Sequence, residues 1–516
     1  MLRYRERVRD GRPRDRRTAV LVGLAALLVY NLNGRVIASS DTRATRFVPF
    51  ALLEAGTLRL DPVLDVVQTS RRAYWVLPAR DGGHASLFPV VAPLLVTPLY
   101  VPAAILLARQ GWPREGLAAA GAFMEKLAAS CVAALAAALM YLLLRRRMRP
   151  SRALGLTVAF ALGTETWMIG SQALWQHGTE ELLLIVALLA LTGPLTAARL
   201  ALGGAACGLA IAGRPIDALL VAPFALLVPA WAGRRSAWFF LGAAVPLALV
   251  LAYNLDTFGL VGGGYQLFVM KGRRYFEQPM ARGLLEMLFS PDKGLFFYTP
   301  FLLFLPIYMR RALAGTAVGA GAGKDRQGAA AEVAGTATEL GVTGVDRPGL
   351  AAELPGTDPG VAKGAAEVPA AAVGSSGTSN AGAAAPSYGS DRLAAPDPSG
   401  RLTAYLLAGI LAQLLVYSSS DWRGGTCYGP RYLADLLPLA VWMLGPVVES
   451  LAALPLALFR WAVVFSIAVQ AVGAFCYPRG ASDLRIEAEH SRLPAYLIEA
   501  PAGIVTPGWV EWLRGR

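Results

Sequence analysis

The chain has 516 residues, of which 55% are hydrophobic and only 16% charged. A soluble protein of that length needs far more charge to cover its surface, so lipid is the expected solvent. The net charge of +13 would suggest nucleic acid in a soluble protein. Here Lys and Arg cluster at the ends of apolar runs, as they do in short cytoplasmic loops, and no nucleic-acid partner is expected.

Residues 1–17 are strongly basic and Thr18 to Tyr30 is apolar, a pattern similar to a secretory leader. No small-x-small cleavage site follows, so residues 18–38 are expected as an uncleaved first helix with a cytoplasmic N-terminus. Apolar segments follow at 87–108, 117–144, 153–171, 178–195, 197–213, 215–231, 236–253, 295–313, 401–420, 431–449 and 452–476. Basic clusters at Arg145–Arg149, Arg234-Arg235 and Arg310-Arg311 test their parity. If 87–108 crossed the bilayer, all three clusters would fall outside. If it dips in or lies along the interface, they join the N-terminus in the cytoplasm, as the enrichment of Lys and Arg there requires. Pro89, Pro93, Pro98 and Pro102 should interrupt any straight helix in that segment. About eleven crossings are therefore expected, each long enough for the hydrocarbon core. The polar loops 39–86, 172–178, 255–294 and 421–430 and the tail 477–516 then share the outer side. Residues 314–400 are Ala, Gly, Pro, Ser and Thr with scattered charge and a single aromatic, Tyr388. They cannot bury enough apolar area to offset chain entropy, so a disordered cytoplasmic insert is expected between the core 18–313 and the C-terminal helices 401–476.

Four outer stretches could carry chemistry. The first loop opens Asn33-Gly34-Arg35-Val36-Ile37-Ala38-Ser39-Ser40-Asp41-Thr42, with Asp61 and Asp65 further on. A carboxylate placed where a helix leaves the bilayer can act as a general base. Alternatively, Ser40 or Asp41 caps a helix over 44–55. The second stretch, Trp175-Gln176-His177-Gly178-Thr179-Glu180-Glu181, is dense in polar groups for so short a turn, although interfacial Trp and acidic residues at a helix start are ordinary. In the third, Lys271, Arg273, Arg274 and Lys293 are basic on the outer side, against the topology rule; a lipid phosphate or general attraction to headgroups would account for them. The fourth runs from Asp421 to Tyr432. It combines glycines with Trp422 and Tyr428, which can stack on a sugar, and with Arg423 and Arg431, which can grip a phosphate. Arg431 and Asp435, four residues apart, could instead pair with each other. His84, His177 and His490 show no ligand spacing, the four cysteines show no CxxC pair, and no phosphate-cradling GxxxxGK[ST] occurs, so neither metal nor cofactor is expected. Cys427 and Cys476 share the outer side, which leaves a disulfide between them open.

Taken in order, Asn33–Asp61, Trp175–Gly178, Gly213–Pro215, Ser290–Pro300 and Trp422–Pro438 resemble stretches of bacterial C-type-fold (GT-C) membrane glycosyltransferases, relatives of the protein O-mannosyltransferases and of the lipid A aminoarabinose transferase. The resemblance spans most of the chain outside 314–400. It implies an all-α polytopic membrane protein, a GT-C-like bundle with a large first outer loop containing juxtamembrane helices. It further implies a hexosyl- or pentosyltransferase of the cell membrane, inverting at the anomeric carbon on the extracytoplasmic face, with a polyprenyl-phosphate sugar donor and a glycan, lipid or protein acceptor. The catalytic base maps onto Asp41. Many relatives carry a paired acidic motif there; in this chain Thr42 follows Asp41, which leaves the contribution of Asp61 or Asp65 open. Arg423, Arg431 and Lys293 would hold the donor phosphate, and Trp175, His177, Trp422, Tyr428 and Asp61 would contact sugar or acceptor. The rival reading is a transporter or lipid-linked-sugar flippase, although no half-to-half repeat of the transporter kind is visible.

Overall fold

Inside lipid a backbone must satisfy its own hydrogen bonds, which is why the apolar runs become helices. A computed structural model describes residues 13–34, 36–37, 39–68, 73–270, 278–291, 293–308, 400–424 and 427–477. The expectations for 314–399, for most of the tail and of the basic N-terminus, and for Lys271, Arg273, Arg274, Arg310 and Arg311 lie outside the described residues.

The principal helices are α1 (Pro13–Asn31), α2 (Ser40–Ala55), α3 (Val91–Arg109), α4 (Arg114–Arg145), α5 (Pro150–Leu162), α6 (Gln176–Leu191) and α7 (Ala197–Gly213). Then come α8 (Ala218–Ala232), α9 (Ser236–Phe258), α10 (Gly263–Met270), α11 (Met280–Phe289), α12 (Arg401–Ser418), α13 (Leu437–Ser450) and α14 (Ala453–Cys476). Among the described residues, five stretches are long and apolar enough to cross a membrane: 91–109, 114–145, 215–258, 401–418 and 453–476. The chain is an all-α membrane protein, apart from a small antiparallel ribbon, β1 (Val76–Pro78) with β2 (His84–Ser86), in the segment after α2.

Ion pairs define two ends of the bundle. Asp15, at the start of α1, pairs with Arg145 at 2.9 Å, and Arg149 pairs with Glu449 at 2.6 Å. Arg146 donates to the Leu189 carbonyl at 2.8 Å. The Arg145–Arg149 cluster therefore shares an end with the start of α1. The other end holds the 39–86 segment. Arg114, at the start of α4, pairs there with Asp65 at 3.2 Å.

The 87–108 region departs from expectation in one respect. Pro98 and Pro102 sit inside a continuous helix, α3. Its flanks nevertheless touch the same segment: Leu87 N–H donates to the Trp75 carbonyl at 3.0 Å, and Arg114 to that of Pro62 at 3.1 Å. Between them Tyr100 packs edge-on against Phe50 of α2, with ring centroids 5.0 Å apart. So α3 departs from the 39–86 segment and returns to it.

Between α5 and α6 the chain does not loop into the open. It makes a wide π-type turn over Thr166–Gly170, and residues 163–175 are buried throughout. The turn folds back so closely that Gly178 has room only for hydrogen: a side-chain carbon there would lie 2.8 Å from the Gly170 carbonyl oxygen. A π turn of this kind re-aims the residues after it. Here it delivers Trp175, Gln176 and His177 into the bundle interior.

Candidate functional site

The site begins with a helix cap. Ser39, rather than Ser40 or Asp41, occupies the N-cap of α2, with a reciprocal bond from its backbone N–H to the Thr42 hydroxyl at 3.3 Å. The helix starts at Ser40, four residues ahead of the expected 44–55. The cap duty falls on Ser39 and Thr42, which leaves the Asp41 carboxylate for other work. Its Oδ2 accepts from Arg431 Nη1 at 2.6 Å, and its Oδ1 accepts the Tyr74 hydroxyl. The Asp41 side chain keeps 21% of its surface accessible, against 7% for Arg431.

Arg431 is held from three directions. Its Nη2 donates to the Gly424 carbonyl at 2.6 Å, which closes the 424–431 loop on itself. Trp175 lies under its guanidinium, 4.3 Å from ring centroid to carbon, and Tyr432 flanks it at 5.1 Å. Such aromatic faces stabilise a cation shielded from water. Its Nε–H is buried and makes no hydrogen bond. Cys427, in the same loop, lies 3.6 Å from Lys293 Nζ, which also donates to the Arg423 carbonyl at 2.9 Å. Asp41, Arg431 and Trp175 thus meet at one place, although residues 41 and 431 are separated by most of the chain, and Cys427 packs with Trp175 while holding Lys293 on its other side.

Other expected site residues lie elsewhere. Arg423 turns its guanidinium outward to Glu286 of α11 at 2.8 Å and covers the ring of buried Trp422. The bond from Arg282 outweighs the opposing effect of burial and, with Arg423, holds the Glu286 carboxyl below its ordinary range. Tyr428, expected as a sugar contact, points into the core: its hydroxyl donates to the Val469 carbonyl of α14 at 2.5 Å, and its buried ring packs on Tyr298. Asp61 likewise stays away from Asp41. It accepts from the His84 backbone N–H at 3.0 Å and lies 2.8 Å from the His84 ring Nδ1. Slight burial would raise the Asp61 carboxyl; the His84 contacts override that and hold it below 3.8. Asp65 is taken by Arg114. Cys427 and Cys476 are both thiols, so the disulfide left open between them is not formed.

His177 belongs to a second, deeper network. Its Nδ1 faces Asp435 Oδ1 at 2.8 Å and its Nε2 faces Arg214 Nη1 at 3.3 Å. Arg214 Nε pairs with Asp435 Oδ2 at 2.8 Å, and its Nη2 donates to the Tyr417 hydroxyl at 2.6 Å. The local Arg431–Asp435 pair therefore does not form: each arginine takes an aspartate from another part of the fold. Around this network Asp217 accepts from Gln413 at 2.8 Å, while fully buried Glu180 has no hydrogen-bond partner on either carboxylate oxygen. A third buried group ties α4 to the 163–175 turn: Lys126 Nζ donates to Gln172 Oε1 at 2.5 Å and to the Tyr30 carbonyl at 2.7 Å, and Glu125 pairs with Arg46 at 3.0 Å.

Sequence reasoning missed Tyr74 and gave Arg214 no role of its own. Arg214 left a signal, as a charge beside a proline between two apolar segments; so did Glu125-Lys126, adjacent charges inside an apolar run. Tyr74 left none, being one aromatic among many polar residues of a long loop.

Chemically, the first cluster offers one accessible carboxylate, one shielded guanidinium with a donor to spare, and an aromatic floor. It can hold an anion and accept a proton within a few ångströms of each other. Among the described residues, no three His, Cys, Asp or Glu side chains are placed to share a metal ion. No protein family, curated protein or solved structure was found to match the chain.

Proposed function

We propose that this chain is an inverting glycosyltransferase, moving a sugar from a polyprenyl-phosphate carrier to an acceptor hydroxyl on the extracytoplasmic face of the cell membrane. The observation that carries this reading is the Asp41–Arg431 pair at the accessible rim of Trp175, at the end of the bundle away from Asp15 and Arg145. The order of motifs resembling GT-C glycosyltransferases supports it from the sequence side. In this reading α1, α4 to α9, the segment from Leu295 and α12 to α14 make about eleven crossings of a GT-C-like bundle. α3 stays on the outer side with the juxtamembrane helix α2, and the basic end faces the cytoplasm.

The chemistry follows from charge. As the bond between the anomeric carbon and the phosphate oxygen breaks, negative charge gathers on the phosphate, and Arg431, with Lys293 behind it, stabilises that charge. Asp41 takes the proton of the acceptor hydroxyl, whose oxygen attacks the opposite face of an oxocarbenium-like carbon. Asp41→Asn in full-length protein is expected to lower transfer from a polyprenyl-phosphate sugar by about 10²–10⁴-fold with the detergent-solubilised protein still folded. Undiminished transfer would remove Asp41 from the mechanism.

A second reading is a transporter or lipid-linked-sugar flippase, favoured by the His177–Asp435–Arg214 network and the unbonded Glu180 within the bundle, since buried charge in membrane helices marks ion and substrate pathways. It predicts translocation of the lipid-linked sugar in vesicles with no covalent product.

A further inference from the structure

The proposed base and the proposed phosphate-holding group are bonded to each other. While Arg431 Nη1 holds Asp41 Oδ2 at 2.6 Å and Tyr74 holds Oδ1, neither group is ready for its task. Resting on the functional reading above, we infer that the Asp41 carboxylate is a built-in occupant of the Arg431 anion site, displaced by the phosphate of the incoming lipid, and that this displacement is what frees Asp41 to act.

Three features of the site support an exchange over a permanent pair. First, the guanidinium is under-used. Asp41 takes one N–H from Nη1, the Gly424 carbonyl takes Nη2, and Nε–H is buried without an acceptor. A buried donor left unpaired is unfavourable, and an ion with more oxygens than a carboxylate can relieve it. Second, the cation is fixed and the anion is not. Arg431 stays put between Trp175 and Tyr432 and through its own loop carbonyl, whatever its partner. Asp41 stands in the first turn of α2, three times as exposed, and does not serve as the cap. Releasing it leaves the helix intact. Third, a second cation lies against the same loop: Lys293 Nζ is 3.6 Å from Cys427, which packs with the Trp175 that floors Arg431, so the charge that grows on the phosphodiester as the sugar leaves has more to meet here than a carboxylate has. The Tyr74 hydroxyl on Oδ1 marks where an acceptor hydroxyl would donate. At rest, then, the chain supplies a stand-in for each substrate group.

The exchange makes a prediction opposite in sign to ordinary loss of a site residue. Binding to full-length protein in detergent would be followed by calorimetry with geranylgeranyl phosphate, geranylgeraniol and inorganic phosphate. Asp41→Asn is expected to bind geranylgeranyl phosphate about tenfold more tightly than wild type, the effect of removing one charge-assisted competitor. Arg431→Gln is expected to lose binding, and the alcohol to bind none of them. Asp41→Ser serves in place of Asp41→Asn if that variant does not fold. Tightening with inorganic phosphate as well as with the lipid assigns the recognition to the phosphate group itself; tightening with the lipid alone assigns it to phosphate and isoprenoid together, and both outcomes uphold the exchange. Wild-type binding that is unchanged or weakened by loss of the Asp41 carboxylate overturns the exchange and leaves the lipid-phosphate reading standing. If wild type and both variants all fail to bind geranylgeranyl phosphate, the functional reading falls, and the exchange with it.

Discussion

Arg431 and Arg214 both lie over the ring of Tyr432, with guanidinium carbons 5.1 and 5.8 Å from its centroid, and each holds an aspartate from a distant part of the chain or an adjoining helix. The two pairs are finished differently. Asp435 is fully buried, with Oδ1 on His177 and Oδ2 in ion-pair contact with Arg214 Nε at 2.8 Å, while the other two Arg214 nitrogens face His177 and Tyr417. Asp41 is partly open and its arginine keeps one N–H in reserve. A charge network sealed from water chiefly fixes geometry. One left incomplete at an accessible rim is poised for a partner. Tyr432, stacked on Tyr417 with centroids 5.3 Å apart, couples the finished pair to the unfinished one and holds the second in place through the first.

The contrast breaks most sharply at the deeper pair. Asp435→Ala leaves Arg214 as an uncompensated buried cation, which costs about 3–5 kcal/mol. Thermal unfolding in detergent should show a large fall in midpoint or no folded protein. Arg431→Ala removes a cation whose partner can turn to water, so its stability loss is expected at only about 1–3 kcal/mol, while transfer is lost. If the two variants destabilise equally, the distinction between scaffold and site fails. Tyr74→Phe probes the rim more gently. It removes one donor to Asp41 and should cost about 0.5–1.5 kcal/mol, leaving the 163–175 turn and its neighbours untouched. Its pH–rate profile should shift relative to wild type, since the carboxylate loses a hydrogen bond that a purely packing role for the phenol would not supply.

How much of this the sequence carried can be argued from the same residues. Asp41, Arg431, Trp175 and Lys293 stood out because each is a polar or aromatic type concentrated between apolar runs, and a membrane chain has few such places. The pairing did not stand out. Spacing favours Arg431 with Asp435 one helical turn away, yet the chain there is a short turn over Arg431–Leu433, not a regular helix face, and Asp435 points inward to Arg214. Local periodicity reports on faces of regular helices and is silent about contacts across hundreds of residues. The prolines of α3 misled in a related way. Pro98 and Pro102 each remove one backbone donor from α3, yet packing such as that of Tyr100 on Phe50 keeps the helix continuous through them. Tyr428 misled because ring chemistry that suits a sugar also suits a core, and only the Val469 carbonyl decides between them.

The smallest effect belongs to a third acidic pair, at the surface. Asp61 and His84 retain 43% and 37% of their side-chain surface, so solvent screens them and their contribution should stay below about 1 kcal/mol. Its sign is still fixed. The folded carboxyl lies below 3.8, so the unfolded chain binds the proton more readily than the folded one. The stabilisation is therefore complete above the ordinary carboxylate range and is lost as pH falls through the depressed folded value. Unfolding midpoints of wild type and Asp61→Asn should differ slightly near neutral pH and converge as pH is lowered through about 4 to 3. A gap that persists in acid would mean that Asp61 acts through the backbone bond to His84 rather than through its charge. Transfer activity at neutral pH is expected to stay near wild type in Asp61→Asn, which separates this surface carboxylate from Asp41 by function as well as by place.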